Sequence, residues 1–334
     1  MMKKIVIFGA TGTVGTYTAI ELKRKGYYVI AVGRRVDKNN FFMKRGIEYY
    51  SLDVREKKSF SLLPKDVDSV IHLAGAMPAH MDNYVPDSYL SSILTGTFNV
   101  LEYIRENNIR KIIFGHSISD ILYRFGTKDP ISPDVDMKFP LTGDHSIYSI
   151  SKNAAVNLIE HYHFQYGVNR YILRMPTIYA YHPNSFYYVD GKKKKMGFRL
   201  IIENAMQAKT IEIWGDPTKE KEIVYIKDFI KIVEGAIESS SKGGIYNVGT
   251  GIGVSLEKQV RDIIKIFSPK GSESNVVYKE NYQDSPQFIL DIDKTRLELN
   301  FSPDYDYISY LIDFKKEMES QRFKEIWGDE SEYD

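Results

Sequence analysis

Short apolar runs and amphipathic stretches alternate along the first half of the chain. Lys4–Phe8, Tyr28–Val32, Asp68–Ala74 and Lys111–Phe114 are rich in Val and Ile and bounded by Gly, Asp or charged residues. Runs with so little polar alternation predict strands covered on both faces, as in a parallel sheet. Ile47–Leu52 is a weaker run of the same kind, and Asn169–Arg174 predicts a further strand. Helical periodicities lie between them. Val14, Thr18 and Leu22 recur four apart and lead to Gly26, a C-terminal stop. Tyr89–Glu106 carries Leu90, Ile93, Leu94, Phe98, Leu101 and Ile104 on one face, and Ser149–Tyr166 carries Ala155, Leu158, Ile159 and Tyr162. Strands alternating with helices of this length predict right-handed crossovers and an α/β, doubly wound parallel sheet.

After Met175 the pattern changes. Prolines at 176, 183 and 217 interrupt a loop-rich stretch, with short strands expected at Ile211–Trp214 and Tyr246–Val248 among helices. The second half reads as a smaller mixed α/β unit built onto the sheet, without a flexible linker. Lys192–Lys195, four lysines in succession, reads as a solvated loop.

Composition narrows the function classes. The chain has 334 residues and a formal net charge of +1, so no broad field exists to grip nucleic acid or an anionic membrane. It contains no cysteine, which removes disulfides, thiolate metal sites and a cysteine nucleophile. The seven histidines form no zinc pattern, and His161 and His163, two apart on a helix, face different ways. No metal is expected. No run approaches the ~20 apolar residues of a spanning helix, and a cytoplasmic location is expected.

The first strand runs directly into Gly9-Ala-Thr-Gly12-Thr-Val-Gly15, which opens the first helix. Gly9 permits a tight turn, Gly12 lets backbone amides approach a pyrophosphate, and Gly15 lets helix and strand pack closely. Three glycines in a strand–turn–helix context predict a dinucleotide cofactor and a Rossmann sheet. The second strand ends at Gly33-Arg34-Arg35, where a carboxylate would favour NAD. Two guanidinium groups can instead pair with a 2′-phosphate, which favours NADP, with NAD as the alternative. Asp53 and Val54 are placed near the adenine, and Leu73, Ala74 and Gly75 end a core strand against which the cofactor can lie.

Tyr148 and Lys152, four apart, project from one face of a helix. A free tyrosine titrates near ~10, so a neighbouring ammonium is needed to favour the phenolate. Ser117, beyond Lys111–Phe114, can hydrogen-bond the same substrate oxygen. His116, its neighbour, should point the opposite way from the strand. The three groups Ser117, Tyr148 and Lys152 converge where a hydride moves to or from a carbinol.

The chain resembles the extended short-chain dehydrogenases/reductases, specifically the nucleotide-sugar epimerase/dehydratase group. The resemblance runs nearly end to end and rests on these motifs: Gly9–Gly15, His72-Leu-Ala-Gly75, Gly96-Thr97 with Asn99–Glu102, Tyr148-Ser-Ile-Ser-Lys152, Arg174-Met-Pro-Thr-Ile-Tyr179, Trp214–Asp216, Glu222–Asp228 and Tyr246–Thr250. It implies a Rossmann domain over 1–175 and a substrate domain over 176–334, with chain exchange between them. Cofactor contacts are implied at Gly9, Thr11, Gly12, Thr13, Val14, Gly15, Arg34, Arg35, Asp53, Val54, Leu73–Gly75, Lys152 and Ile178. Substrate contacts are implied at His80, Thr177 and Lys221. It also implies homodimers through the helices at Tyr89–Glu106 and Ser149–Tyr166.

By that resemblance Tyr148 is the general base toward a sugar hydroxyl, Lys152 binds the nicotinamide ribose and lowers the Tyr148 pKa, and Ser117 orients the reacting oxygen. The expected function is a nucleotide-sugar epimerase working through a transient keto sugar. The alternatives are an NADPH-dependent keto-sugar-nucleotide reductase and a dinucleotide-sensing protein without turnover. Ile118-Ser119 stands where a dehydratase would carry Asp-Glu, which disfavours dehydration. Ile93, Thr177 and Lys221 replace an asparagine, an asparagine and an arginine common in the family.

Overall fold

The computed structural model describes residues 2–333. Seven strands form one parallel sheet: β1 (Lys4–Phe8), β2 (Tyr28–Gly33), β3 (Glu48–Ser51), β4 (Ser69–His72), β5 (Lys111–Ser117), β6 (Asn169–Met175) and β7 (Gly243–Asn247). Their order across the sheet is β7-β6-β5-β4-β1-β2-β3, all neighbours parallel. The direction of winding reverses between β1 and β4. In a doubly wound sheet that reversal opens a crevice beyond the strands' carboxyl ends.

The continuous apolar runs have the physical cause inferred for them. Alternate residues of each strand enter opposite cores: Ile5, Ile7, Ile71 and Ile113 pack on one face, and Val6, Phe8, Val70, Ile112 and Phe114 on the other. A sheet buried on both sides needs apolar residues at both phases of the pleat. α1 (Thr13–Arg24) follows β1, and α2 (Gly96–Glu106) precedes β5. α3 (Asp144–Tyr166) links β5 to β6 and begins five residues before the expected Ser149.

Ahead of α2 the helix is not uniform. Pro86–Tyr89 is α-helical and Leu90–Thr95 is a π segment. The π segment carries buried Ile93 against Gly75, where a Cβ would lie 2.9 Å from Ile93 Cγ1. π bulges insert a residue locally and re-aim the side chains around them.

The Lys192–Lys195 segment is not the expected loop. It is a strand antiparallel to Phe186–Val189. Lys193 and Lys195 place their ammonium groups 4.3 and 5.1 Å from the Phe186 ring centre, and Lys195 pairs with Glu203 at 2.7 Å. Cation–π contact and backbone pairing give this charged run the partners that its composition hides.

The second half is tied into the sheet. β7, expected at Tyr246–Val248, lies three residues earlier and adds the edge beside β6. Lys111 on β5 donates to the carbonyls of Ala236, Ile237 and Ser239 at 2.8, 2.6 and 2.7 Å, capping the helix α4 (Ile226–Glu238). Two-stranded pairings, Ile211–Trp214 with Val276–Lys279 and Glu220–Glu222 with Gly253–Ser255, complete this half. Among the described residues no helix is long and apolar enough to cross a membrane, and no cluster of His, Asp or Glu could hold a metal ion.

Candidate active site

The glycine turn lies at the reversal point. Gly9 has φ +85°, a conformation that side chains disfavour, and a Cβ there would come within 2.7 Å of the Ala74 amide. A Cβ at Gly15 would lie 2.1 Å from the Gly9 carbonyl, so only glycine lets α1 start this close to β1. Gly12 is different. It is exposed, and its nearest neighbour would be 3.5 Å from an added Cβ. No side chain caps the helix that begins at Thr13 and Val14, and its first turn holds no acidic residue. Uncapped amides at a helix N-terminus, open to solvent, fit an anion such as a pyrophosphate.

Past β2, Gly33 leaves room that the Thr11 side chain and the Tyr49 hydroxyl fill. Arg34 and Arg35 are exposed, and neither guanidinium joins an ion pair among the described residues. Their backbone carbonyls accept from Ser51 Oγ and from the Tyr49 hydroxyl. Asp53 is gripped by Arg55 in a two-point contact, Nε to Oδ1 at 3.0 Å and Nη2 to Oδ2 at 2.7 Å. That contact holds the Asp53 carboxyl below its usual range. Val54 is buried against Gly96, and its carbonyl accepts from Asn99 Nδ2 at 2.9 Å. Leu73, Ala74 and Gly75 leave β4 beside the glycine turn.

Across the crevice, β5 and α3 bring Ser117, Tyr148 and Lys152 together. Lys152 is buried, donates to the Gly115 carbonyl at 2.6 Å, and stands 4.7 Å above the Phe114 ring centre and 6.0 Å from that of Tyr148. Burial lowers its ammonium to about 8. Burial also raises the Tyr148 phenol, opposed by hydrogen bonding with Ser117. The expected lowering of Tyr148 by Lys152 does not act in the protein alone: desolvation penalises both charged forms, and Ser117 alone opposes it at the phenol. Tyr89 packs edge-on against Tyr148 at 6.2 Å. Beside this pair a cleft of about 440 Å³ opens, its walls including Met81, Asp82, Tyr84, Tyr89, Ser146 and Asp190.

The three implied substrate residues stand on separate elements. His80 is exposed at the end of the turn Pro78–His80, and Thr177 is exposed just after β6. Lys221 is half-buried on the strand Glu220–Glu222. Its neighbour Glu222 anchors that strand, accepting from the amides of Thr250 and Leu290 at 2.7 and 2.6 Å, while burial raises its carboxyl to about 7. Ile178 lies in a two-residue strand paired with Val224–Tyr225.

Two polar groupings next to the site escape sequence reasoning. Asp120 Oδ2 accepts from His116 Nε2 at 3.0 Å and from Arg174 Nε and Nη2 at 3.2 and 3.0 Å, all three side chains buried. His116 bonds Asp120, whereas Ser117 Oγ accepts from the Ser119 amide and lies within hydrogen-bonding reach of Tyr148. Ser119 and Ser149 also join their hydroxyls at 2.9 Å, one residue from Tyr148. The pairing of His116 with Arg174 across β5 and β6 creates the first group, and spacing along the chain does not reveal it.

A glycine turn at the reversal of a doubly wound sheet, facing a Ser–Tyr–Lys set, defines a Rossmann oxidoreductase class. Comparison with known proteins gives the family. Residues 5–249 match the NAD dependent epimerase/dehydratase family, and the chain belongs to it. It is 24% identical over 314 residues to the UDP-glucuronate 4-epimerase of Thermodesulfobacterium geofontis, covering 90% of this chain and 91% of that one. The crystal structure of UDP-glucose 4-epimerase with UDP-glucose from Thermotoga maritima superposes with a TM-score of 0.76 at 20% identity, covering 94% and 99% of the two chains. That of UDP-glucuronic acid 4-epimerase from Bacillus cereus, in complex with NAD, gives 0.70 at 23% identity over 94% and 99%.

Proposed function

We propose that this chain is a nucleotide-sugar epimerase that works through a transient keto sugar. The observation that carries this reading is the meeting of Ser117, Tyr148 and Lys152 across the crevice from an uncapped glycine turn. The sequence relatives and structural neighbours named above are epimerases of nucleotide sugars, which supports the same substrate class. Residues 1–175 carry the cofactor and 176–334 the sugar nucleotide, apart from β7, which returns to the sheet.

A dinucleotide held with its pyrophosphate on the amides of Thr13 and Val14 would supply a ring able to take hydride from a sugar carbon and return it. Ser117 holds the reacting hydroxyl toward Tyr148. Tyr148 accepts that hydroxyl's proton as the carbon is oxidised to a ketone. Lys152 stabilises the phenolate through its charge and contributes to the ribose seat. The Tyr148 proton goes back to the oxygen once the sugar presents its other face, so neither proton nor hydride is consumed. His80, Thr177 and Lys221 contact the sugar nucleotide. Ile118 and the Ser119–Ser149 pair supply no acid positioned to expel a hydroxyl, which disfavours dehydration.

The cofactor reading favours NADP. No carboxylate ends β2, and among the described residues neither Arg34 nor Arg35 joins an ion pair. The same arginines favour the second reading, a keto-sugar-nucleotide reductase, since NADPH is a consumable reductant. A homodimer in the cytoplasm is the working form.

Purified protein incubated with UDP-, GDP-, CDP- and dTDP-sugars is expected to interconvert one epimeric pair without net change in added NADPH. Stoichiometric NADPH oxidation on addition of a keto-sugar nucleotide would identify the reductase instead, and no conversion of either the sugars or the keto sugar would refute both. Tyr148→Phe is expected to lower turnover by about 10²–10⁴-fold while the dinucleotide still binds; full activity in that variant would remove Tyr148 as the base.

A further inference from the structure

The C-terminal segment Phe323–Tyr333 bridges the glycine turn and the stretch after β2 to the loop that follows Ile178. On the Rossmann side, Trp327 Nε1 donates to the Thr11 carbonyl over a long 3.4 Å, and its ring lies 6.0 Å from Tyr17. Glu325 pairs with Arg45 at 3.0 Å, and its carbonyl accepts from Asn39 Nδ2 at 2.9 Å. On the other side, Trp327 packs on His182 at 4.5 Å, in the loop that follows Ile178. Glu330 accepts from Arg199 at 2.8 Å, and the Tyr333 carbonyl accepts from Lys193. Gly328, at φ +79°, makes the tight bend between these contacts.

We infer that Trp327 is a positioning residue for the dinucleotide, fixing the Thr11–Gly12 peptide so that the next amides face the pyrophosphate. That peptide is held at both polar ends. The Gly12 N–H donates back to the Gly9 carbonyl at 3.1 Å, and the Thr11 carbonyl accepts from Trp327. A peptide plane held at both ends resists rotation, which favours one direction for the amides of Thr13 and Val14 that follow. Such preorganised donors bind an anion without an ordering cost at the moment of binding. Because the same indole rests on His182, the turn and the wall that follows β6 are coupled through one side chain. The inference rests on reading the glycine turn as a dinucleotide seat.

Binding of NADP⁺ and of NAD⁺ is measured by calorimetry for the full-length wild type and for Trp327→Phe and Trp327→Leu, with thermal midpoints recorded without ligand. Trp327→Leu is expected to raise the Kd about tenfold, the scale of one lost hydrogen bond with its ordering. Trp327→Phe should fall between Trp327→Leu and the wild type. The chain has two tryptophans, so Trp214→Phe leaves Trp327 as the sole tryptophan, excited beyond the tyrosine band. Its fluorescence is expected to change saturably, with the midpoint found by calorimetry. Unchanged Kd in folded Trp327 variants overturns the inference. So does Trp327 emission that stays flat at saturation, a result readable even where the Trp327 variants do not fold. Failure of the wild type to bind either dinucleotide refutes the reading of the glycine turn itself.

Discussion

Tyr148 and Lys152 are both dried by the protein, and the consequence is a pH dependence with a definite sign. Burial brings the Lys152 ammonium to about 8 and raises the phenol, so near neutrality a neutral phenol stands beside an amine that is still mostly charged. A positive ring nearby would push Lys152 further down and favour the phenolate. Because kcat/KM follows the titrating groups of the enzyme that meets the sugar, it is expected to fall as Lys152 loses its proton, at about pH 8 or lower where the positive ring is bound. Arginine keeps its charge over the whole range. Lys152→Arg should be slow, since a guanidinium cannot reproduce the donation to Gly115, yet its profile should no longer fall there. If both proteins lose activity at the same pH, another group titrates. The pair itself was legible in the sequence because a helix places residues four apart on one face. The Asp120–His116–Arg174 cluster was not, because it forms through the register of two strands and the bend after Ser117.

The glycine turn separates two roles that a sequence motif merges. At Gly15 a methyl group would meet the Gly9 carbonyl at 2.1 Å, with backbone on both sides and nowhere to move. At Gly12 it would find its nearest atom at 3.5 Å and an ordinary φ of −80°. Gly15→Ala is therefore expected to destabilise the fold by about 1–3 kcal/mol, as overpacking does. Gly12→Ala should leave the melting temperature nearly unchanged and weaken dinucleotide binding instead, because its methyl projects into the open space over the helix start. Thermal denaturation together with calorimetry checks both; equal loss of stability in the two variants would refute the division. The sheet strands were legible to within a few residues, since burial on both faces writes a continuous apolar run. The Lys192–Lys195 strand was not, because its partners, the Phe186 ring and the facing backbone, are supplied by pairing. The π segment at Leu90–Thr95 escaped for a related reason: it exists to seat Ile93 on Gly75, a contact across the fold.

At the scale of the whole molecule, the two cores are closed but one flank is not. β7 and the Lys111 cap bind the second half to the sheet, and the C-terminal aromatics seal the side next to α1. On the opposite flank α2 and α3 pack side by side, and large apolar groups remain outside: Leu90 at 37%, Phe98 at 40%, Ile150 at 38% and Phe164 at 80% exposed. Exposed apolar residues also occur elsewhere, Leu297 and Val36 among them, but these four fall on helical stretches that pack together, as a self-complementary interface requires. These are the stretches through which the family resemblance implies a homodimer. Joining two copies there would build four helices around a shared apolar seam. A carboxylate placed on each helix would be buried without a partner in that seam and would still be solvated in the monomer. Phe98→Glu combined with Ile150→Glu is thus expected to halve the mass seen by light scattering, while the monomer keeps its melting behaviour and its dinucleotide affinity. A wild type that is monomeric at micromolar concentration, or a double variant that keeps the dimer mass, would move the interface elsewhere.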